Sequence, residues 1–230
     1  MLPLVETHSY PSYSQAGEDR LLYYFFQALG SVQALTYLDV GAASPVGHNN
    51  TYLFYTLGGS GVLVEANDEY GEAYSSIRPR DTVEAVAVVP SRMRNQELVS
   101  FHLLNSPGWN TVSTEHAEVA SRLGKGSLRR TLSVPCRTLN EIMAWHFTDK
   151  RLDILSLDIE GIDAEVLSEI DFSRFRPRAI VAEDPFGHAG QPTMTGPTAD
   201  ILRNAGYRPF GWTFVNFVLV DERLMSGMRF

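Results

Sequence analysis

The chain has 230 residues, of which 44% are hydrophobic and 20% charged, and its formal net charge is −8 at pH 7. This length and composition predict one domain with a full core. The acidic balance argues against a nucleic-acid-binding surface, because neutralising phosphates requires clustered Lys and Arg. The only cysteine, Cys136, rules out an intrachain disulfide and favours a reducing compartment. Since no run approaches about 18 apolar residues and no leader pattern opens the chain, we expect a cytoplasmic protein without membrane insertion.

Strand and helix patterns alternate along most of the chain. Residues 1–13 predict an irregular arm and residues 14–230 a single domain, in which Ser14 is expected to cap the first helix and Gly30 to end it. Repeated β-α units predict a parallel sheet covered by helices on both faces. The predicted strands are 37–40, 62–65, 83–88, 98–103, 132–135 and 154–158, followed by 179–183. The predicted further helices are 50–57, 69–77, 114–123, 138–146, 164–170 and 198–204.

The last two strand patterns lie close together in the sequence. Residues 207–212 and 215–220 are separated by a short connection, which predicts an antiparallel hairpin. Together with the repeated β-α units, the hairpin predicts an α/β fold with a mostly parallel sheet. We find no internal repeat and no sign of a second domain.

The first strand ends in a loop suited to close ligand contact. Residues 36–45 read TYLDVGAASP, a short apolar run that carries Asp39 and then breaks into small residues. Small residues let the backbone approach a ligand closely. A dinucleotide fold would instead open into a helix with the pattern G-x-G-x-x-G, and the second glycine is missing here. The small residues in question are Gly41, Ala42 and Ala43.

A second strand repeats this plan about one β-α unit later. Residues 61–67 read GVLVEAN, in which Glu65 stands at the end of the strand. A carboxylate at this position can accept hydrogen bonds from both hydroxyls of a ribose. A ligand with a ribose and a polar or cationic head is therefore expected, and S-adenosylmethionine has both.

Seven short motifs follow one another between Ser14 and Asp184. They are SQAGED at 14–19, YLDVGA at 37–42, NTYLFY at 50–55, VEAN at 64–67, WNT at 109–111, TLNEI at 138–142 and LSLDIEG at 155–161. In this order they resemble the FkbM family of S-adenosylmethionine-dependent methyltransferases. Ala66 and Asn67 stand where many members have Pro and Asn after the acid, so the departure is Ala66 in place of the proline. The residues beyond Asp184 match no motif, so we expect the choice of acceptor to be determined there.

The resemblance implies a fold, a reaction and a set of cofactor contacts. The fold is the class I methyltransferase Rossmann-like fold, a mostly parallel seven-stranded sheet with a terminal antiparallel hairpin. The reaction is O-methylation of a hydroxyl on a sugar, a glycan or a secondary metabolite. Asp39 and the 41–43 backbone would face the methionine portion, Glu65 the ribose, and the end of the third strand the adenine. The implied cofactor-binding residues are Asp39, Gly41, Ala42, Ala43, Glu65, Ala66, Ala87, Val88 and Asp158.

The segment after the strand at 154–158 carries the candidate bases. Methyl transfer to oxygen needs an in-line approach, removal of the hydroxyl proton and exclusion of water. Asp158 ends this strand at the ligand-binding edge of the sheet, and Glu160 follows two residues later. His188 has an ordinary pKa suited to a base. The candidate catalytic residues are Asp158, Glu160 and His188, with Asp158 slightly preferred.

A magnesium-assisted reaction is a second possibility at this edge. Asp158, Glu183 and Asp184 lie at the ends of neighbouring strands and would supply hard oxygen ligands for Mg²⁺. The ion would acidify the acceptor hydroxyl. The alternative is that Glu183 orients the acceptor without a metal. The sequence leaves the metal, the acceptor and a homo-oligomeric state open.

Two other classes of function compete with a methyltransferase. One is a Rossmann-type NAD(P) oxidoreductase, which the missing glycine pattern disfavours. The other is a non-catalytic module that binds S-adenosylmethionine, against which the intact acids at 39, 65 and 158 argue. The Trp109–Asn110 loop is expected either to fold over the cofactor or only to pack.

Overall fold

The computed structural model describes residues 11–183 and 196–228. The helices are α1 (Glu18–Ala28), α2 (Tyr52–Thr56), α3 (Gly71–Ile77), α4 (Thr114–Arg122), α5 (Leu139–Phe147), α6 (Asp163–Ser168) and α7 (Pro197–Asn204). The strands are β1 (Thr36–Val40), β2 (Ser60–Val64), β3 (Thr82–Glu84), β4 (Ala87–Val88), β5 (Leu98–Leu104), β6 (Leu128–Arg137), β7 (Ile154–Leu157), β8 (Ala179–Glu183), β9 (Tyr207–Trp212) and β10 (Asn216–Asp221).

Seven of these strands form the central sheet, in the order β3-β2-β1-β7-β8-β10-β9. The five strands from β3 to β8 are parallel, whereas β10 runs antiparallel to both β8 and β9. Parallel strands are covered on both faces, and all four residues of β7 are accordingly buried. This arrangement confirms the predicted α/β class, the mostly parallel seven-stranded sheet and the terminal hairpin.

Two apolar cores lie on opposite faces of the sheet. Leu38 and Leu155 point to the core that contains the buried residues of α5, α6 and α7. Tyr37 and Ile154 point to the other core, beneath α1, α2 and α3. The alternation follows from the two-residue period of a strand. No helix among residues 11–183 and 196–228 combines the length and apolar character needed to cross a bilayer.

A second sheet of three strands, β4-β6-β5, was not predicted. The strand expected at 83–88 is in fact two strands: β3 pairs with β2 in the central sheet, and β4 pairs with β6. The apolar pattern continues across the break, so periodicity alone does not reveal that the chain changes sheets. Likewise β6 is ten residues long rather than the four expected, because it pairs along most of its length with β5.

Of two predicted helix caps, one is present in the structure and the other is not. Thr138 forms the expected cap of α5, in which its hydroxyl and the side chain of Glu141 form a reciprocal capping box. The cap predicted at Ser14 is wrong. Gly17 precedes α1 with a φ of 98°, and the Ser14 hydroxyl accepts instead from the backbone N–H groups of Gly17 and Asp19, at 3.1 and 3.3 Å.

Candidate functional site

A cavity of about 500 Å³ opens at the carboxyl edge of the central sheet. Five adjacent strands contribute to it: β2, β1, β7 and β8 with their carboxyl ends, and antiparallel β10 with its first residue, Asn216. The three-stranded sheet adds Ala87, Val88 and Phe101 to the wall. Ligands of open α/β sheets bind outside the carboxyl ends of the strands, so this is the expected position for a binding site.

The loop after β1 is held against both neighbouring strand ends. Gly41 has a φ of 75°, and a Cβ added there would collide with the carbonyl oxygen of Asp158. Ala43 also has a positive φ, 45°, and donates its N–H to Glu65 at 2.8 Å. Tyr74 donates its hydroxyl to the Ala43 carbonyl. Because contacts with Asp158 on one side and Glu65 on the other restrict the loop, it presents a preformed backbone surface to the cavity.

Glu65 holds this loop and also faces the cavity. Its second oxygen accepts from the backbone N–H of Asn67 at 2.7 Å. Burial raises the pKa of Glu65, although the backbone hydrogen bonds from Asn67 and Ala43 act in the opposite direction. Each carboxylate oxygen has two lone pairs, so each can accept one more hydrogen bond. Glu65 therefore retains the capacity to bind two hydroxyl groups in the cavity.

Asp39 is not among the residues that line the cavity. It is buried beneath the loop, where it accepts from Asn49 Nδ2 at 3.1 Å and from Thr51 Oγ1 at 2.7 Å. Burial raises its pKa, opposed mainly by the nearby guanidinium of Arg78. Ala42 is also buried and outside the lining. Asp39 therefore stabilises the underside of the loop, a different placement from the ligand contact that the resemblance implied.

Three carboxylates meet at the other end of the cavity. Oxygens of Asp158, Glu160 and Glu183 lie within 4.8 Å of one another, and all three residues line the cavity. Asp158 Oδ1 is buried and has no hydrogen-bond partner among the described residues. Burial raises the pKa of Asp158 well above its usual range, with the Glu160 charge acting in the same direction. Burial also raises the pKa of Glu160, reinforced by Asp163. We call Asp158, Glu160 and Glu183 the acid group.

His116 contacts the acid group, a contact that no sequence pattern predicts. Its Nε2 lies 3.2 Å from Glu160 Oε2, and its ring stacks on Trp109 with centroids 5.5 Å apart. The ring also packs on Gly161, where a Cβ would lie 2.5 Å from Nδ1. Burial lowers the pKa of His116. Helix α4 lies about 45 residues before Glu160 in the sequence, so no local pattern connects the two residues.

Most of the predicted site residues line one cavity. Asp184 and His188 lie outside the described residues, so their roles stay predictions. The loop with Trp109 does lie at the cavity, as one of its two interpretations expected. The predicted residues that line the cavity are Gly41, Ala43, Glu65, Ala66, Ala87, Val88, Asp158, Glu160 and Glu183.

A comparison with known protein families matches most of the chain to one family. The family model described as "Methyltransferase FkbM domain" matches residues 39–209. The match covers well over half of the chain and includes the strand ends from β1 to β8. No curated protein and no solved structure matches the chain. The helix α1 and the segment before it precede the matched region, and β10 follows it. On this match, the chain belongs to the FkbM methyltransferase family.

Proposed function

We propose that the protein is an S-adenosylmethionine-dependent O-methyltransferase that acts on a hydroxyl of a sugar, a glycan or a secondary metabolite. The observation that supports this proposal is that Glu65, a carboxylate suited to bind a ribose, and a group of candidate bases face the same cavity. Glu65 lies at the β2 side, and the acid group lies at the β7 and β8 side. Neighbouring strands are about 4.8 Å apart, so the two ends lie within the length of one extended ligand and its acceptor.

The residues at the β1 and β2 side fit the cofactor. Glu65 has acceptor capacity left for ribose hydroxyls, and Ala66, Ala87 and Val88 offer an apolar surface for the adenine. The backbone at Gly41 and Ala43 would lie against the methionine portion. When bound, the cofactor supplies a methyl group made electrophilic by the attached sulfonium. No covalent bond to the protein is then needed.

At the other side, a carboxylate of the acid group would accept the hydroxyl proton. Asp158 is preferred, because its buried Oδ1 has no hydrogen bond to a described residue and is free to bind the acceptor. A raised carboxyl pKa makes the ionised form a stronger base at neutral pH. Glu160 is the second candidate, held beside His116. The loop with Trp109 would exclude water from the reacting atoms.

A metal-assisted form of the reaction is a second candidate. Asp158, Glu160 and Glu183 offer oxygen ligands of the kind that Mg²⁺ prefers. Asp184, the third ligand predicted from the sequence, lies outside the described residues. A bound Mg²⁺ would lower the pKa of the acceptor hydroxyl. Methyl transfer that persists after exhaustive dialysis against EDTA would eliminate this form.

Calorimetry and turnover together test the proposed function. S-Adenosylmethionine should bind with measurable heat and NADH should not, whereas the reverse result would identify an oxidoreductase. Transfer of a labelled methyl group to a hydroxylated acceptor would distinguish an enzyme from a binding module. If S-adenosylmethionine binds and no acceptor in a broad set of alcohols is methylated, the binding module becomes the better description. The cytoplasmic location and the homo-oligomeric state stay predictions.

A further inference from the structure

The segment Ser12–Asp19, which we call the N-terminal strap, crosses the rim of the cavity. It precedes the residues that the family model matches. Two of its acids, Glu18 and Asp19, are fully buried. Burying a carboxylate is costly unless it is hydrogen-bonded. The partners of these two acids therefore indicate which parts of the molecule the strap is built to connect.

Asp19 folds the strap onto itself. Its Oδ1 accepts from the hydroxyls of Ser12 at 2.6 Å and Ser14 at 2.9 Å. Its Oδ2 accepts from the backbone N–H of Tyr13 at 2.7 Å. The Ser14 hydroxyl in turn accepts from the N–H of Gly17 at 3.1 Å. These bonds give a loop of eight residues a defined conformation.

Glu18 attaches the strap to the turn between β9 and β10. Its Oε1 accepts from Thr213 Oγ1 at 2.5 Å and from Asn216 Nδ2 at 3.0 Å, and Asn216 itself lines the cavity. Asn216 is also the register partner of Glu183 in the acid group. Glu18 has a lowered pKa: burial acts to raise it, and the hydrogen bonds from Thr213, Asn216 and the backbone outweigh burial.

The other end of the strap is attached near the loop after β1. The carbonyl of Tyr13 accepts from the N–H of Asn49 at 3.0 Å. The Tyr13 ring packs edge-on against Tyr52, with centroids 4.8 Å apart. The strap therefore runs from the β1 side of the cavity, where the methionine portion is proposed to bind, to the β10 side, next to the acid group.

Gln15 lies between these two attachments and lines the cavity. It is exposed, and its side-chain amide makes no hydrogen bond within the described part of the chain. An amide can donate and accept, as a hydroxyl also does. The backbone on both sides of it is held, so only its side chain must be ordered when it binds a ligand. These features favour contact with the acceptor between the cofactor and the acid group.

The charges in the cavity restrict the kind of acceptor. Four of the described lining residues are acidic, namely Glu65, Asp158, Glu160 and Glu183, and none is Lys or Arg. The sequence of residues 184–195 contains no Lys or Arg either. An anionic acceptor would find no Lys or Arg to pair with among the described lining residues, and its charge would oppose ionisation of the base in the acid group. An acceptor with several hydroxyls and no negative charge avoids both costs, and Gln15 and the acid group can hydrogen-bond its hydroxyls.

We propose that Gln15 hydrogen-bonds a second hydroxyl of a multiply hydroxylated acceptor that carries no negative charge, and so contributes to acceptor specificity. This inference rests on the proposed methyl transfer. It adds a residue outside the matched family region and a charge class for the acceptor. Glu18 and Asp19 act as positioning residues, since they hold Gln15 in place without reaching the reacting atoms.

The test compares Gln15→Ala with the control Gln27→Ala, an exposed glutamine on α1 that does not line the cavity. The acceptors are methyl glucoside and myo-inositol, their phosphates and their amino analogues, and methyl transfer is followed with labelled S-adenosylmethionine. Gln15→Ala should raise the acceptor KM about tenfold, the effect of one or two lost hydrogen bonds. It should leave kcat and the calorimetric cofactor affinity within about twofold of the wild-type values. Gln27→Ala should leave the acceptor KM, kcat and the cofactor affinity all within about twofold of the wild-type values.

A second variant tests the charge class in the opposite direction. Gln15→Lys should raise kcat/KM for the phosphorylated acceptors relative to the neutral ones, because it adds the missing cation. The inference is overturned by an unchanged acceptor KM in Gln15→Ala, by weakened cofactor binding instead, or by a wild-type preference for phosphorylated acceptors. If the wild type methylates no acceptor, the proposed function itself fails. That outcome is distinguishable, because it appears before any variant is compared.

Discussion

Replacing Glu65 with glutamine tests the cofactor end of the cavity. The Glu65 carboxylate accepts two backbone N–H groups, at 2.7 and 2.8 Å. A glutamine side chain can accept one of them, but its NH₂ group would face the other and leave a buried donor unpaired, at a cost of about 1–3 kcal/mol in stability. It would also lose one charge-assisted bond to a ribose hydroxyl, worth about 1.5–3 kcal/mol. Cofactor affinity should therefore fall by about ten- to a hundredfold.

Calorimetry with a matched control measures this effect. Glu69→Gln is the control, because Glu69 is exposed, pairs with Arg129 and does not line the cavity. It should change affinity and stability by less than about 0.5 kcal/mol. Thermal unfolding of each variant separates a weakened loop from a lost ligand contact.

A double-mutant cycle with the ligand makes the test specific to the ribose. Methylthioadenosine and its 2′-deoxy form are titrated into the wild type and Glu65→Gln. If Glu65 binds the ribose, removing the hydroxyl should cost affinity in the wild type and much less in the variant. Equal losses in both proteins would show that Glu65 only supports the loop, and would refute the assignment of Glu65 to the ribose.

The remaining predictions concern the base, the loop after β1, an ion pair and the metal. Asp158→Asn should lower turnover by at least about a hundredfold with an unchanged circular dichroism spectrum, and full activity would exclude it as the base. Gly41→Ala should lower the unfolding free energy by about 2–4 kcal/mol, because the strain of a positive φ adds to the collision of the new Cβ with the Asp158 carbonyl oxygen. Gly58→Ala, with a φ of 87° and no atom within 4 Å, should cost only the strain, about 1–2 kcal/mol. The pKa of Asp221 is lowered to about 2, because hydrogen bonds from Arg223 and Arg176 outweigh burial. The contribution of the ionised Asp221 to the free energy of unfolding is therefore fully present above its unfolded pKa of about 3.9 and is lost as pH falls toward about 2. Asp221→Asn should flatten the acid limb of a denaturation series. EDTA should leave turnover unchanged, and a loss of turnover that added Mg²⁺ restores would favour the metal-assisted form.

The strand ends of the central sheet could be predicted because their signal is local. Strand β8 has the predicted bounds, and a buried apolar run followed by an acid also indicated where β7 ends. Parallel strands direct their carboxyl ends to one edge, so the strand assignments alone placed Glu65 and Asp158 at the same edge of the sheet. Glu65 and Asp158 both line the cavity at this edge, whereas their roles there stay predictions.

Features that depend on distant partners could not be predicted. His116 meets Glu160 only because its ring packs on Gly161 in the loop after β7, and its own sequence neighbours are unremarkable for a surface helix. Asp39 looked like a ligand contact from its motif, yet Arg78 and Thr51 draw it beneath the loop. The strand at 83–88 divides between two sheets because its two halves find different partners, β2 and β6.

The position of β10 in the sheet has a practical consequence for choosing domain boundaries. The family match ends at residue 209, before β10 begins, although all six residues of β10 are buried and five of them pair with β8. A fragment cut to the matched residues would leave β8 as an open, apolar border strand, which invites pairing with other molecules. It would also lack the first helix, whose phenylalanines pack beside β10. Fragments of this protein for expression should therefore keep both flanks.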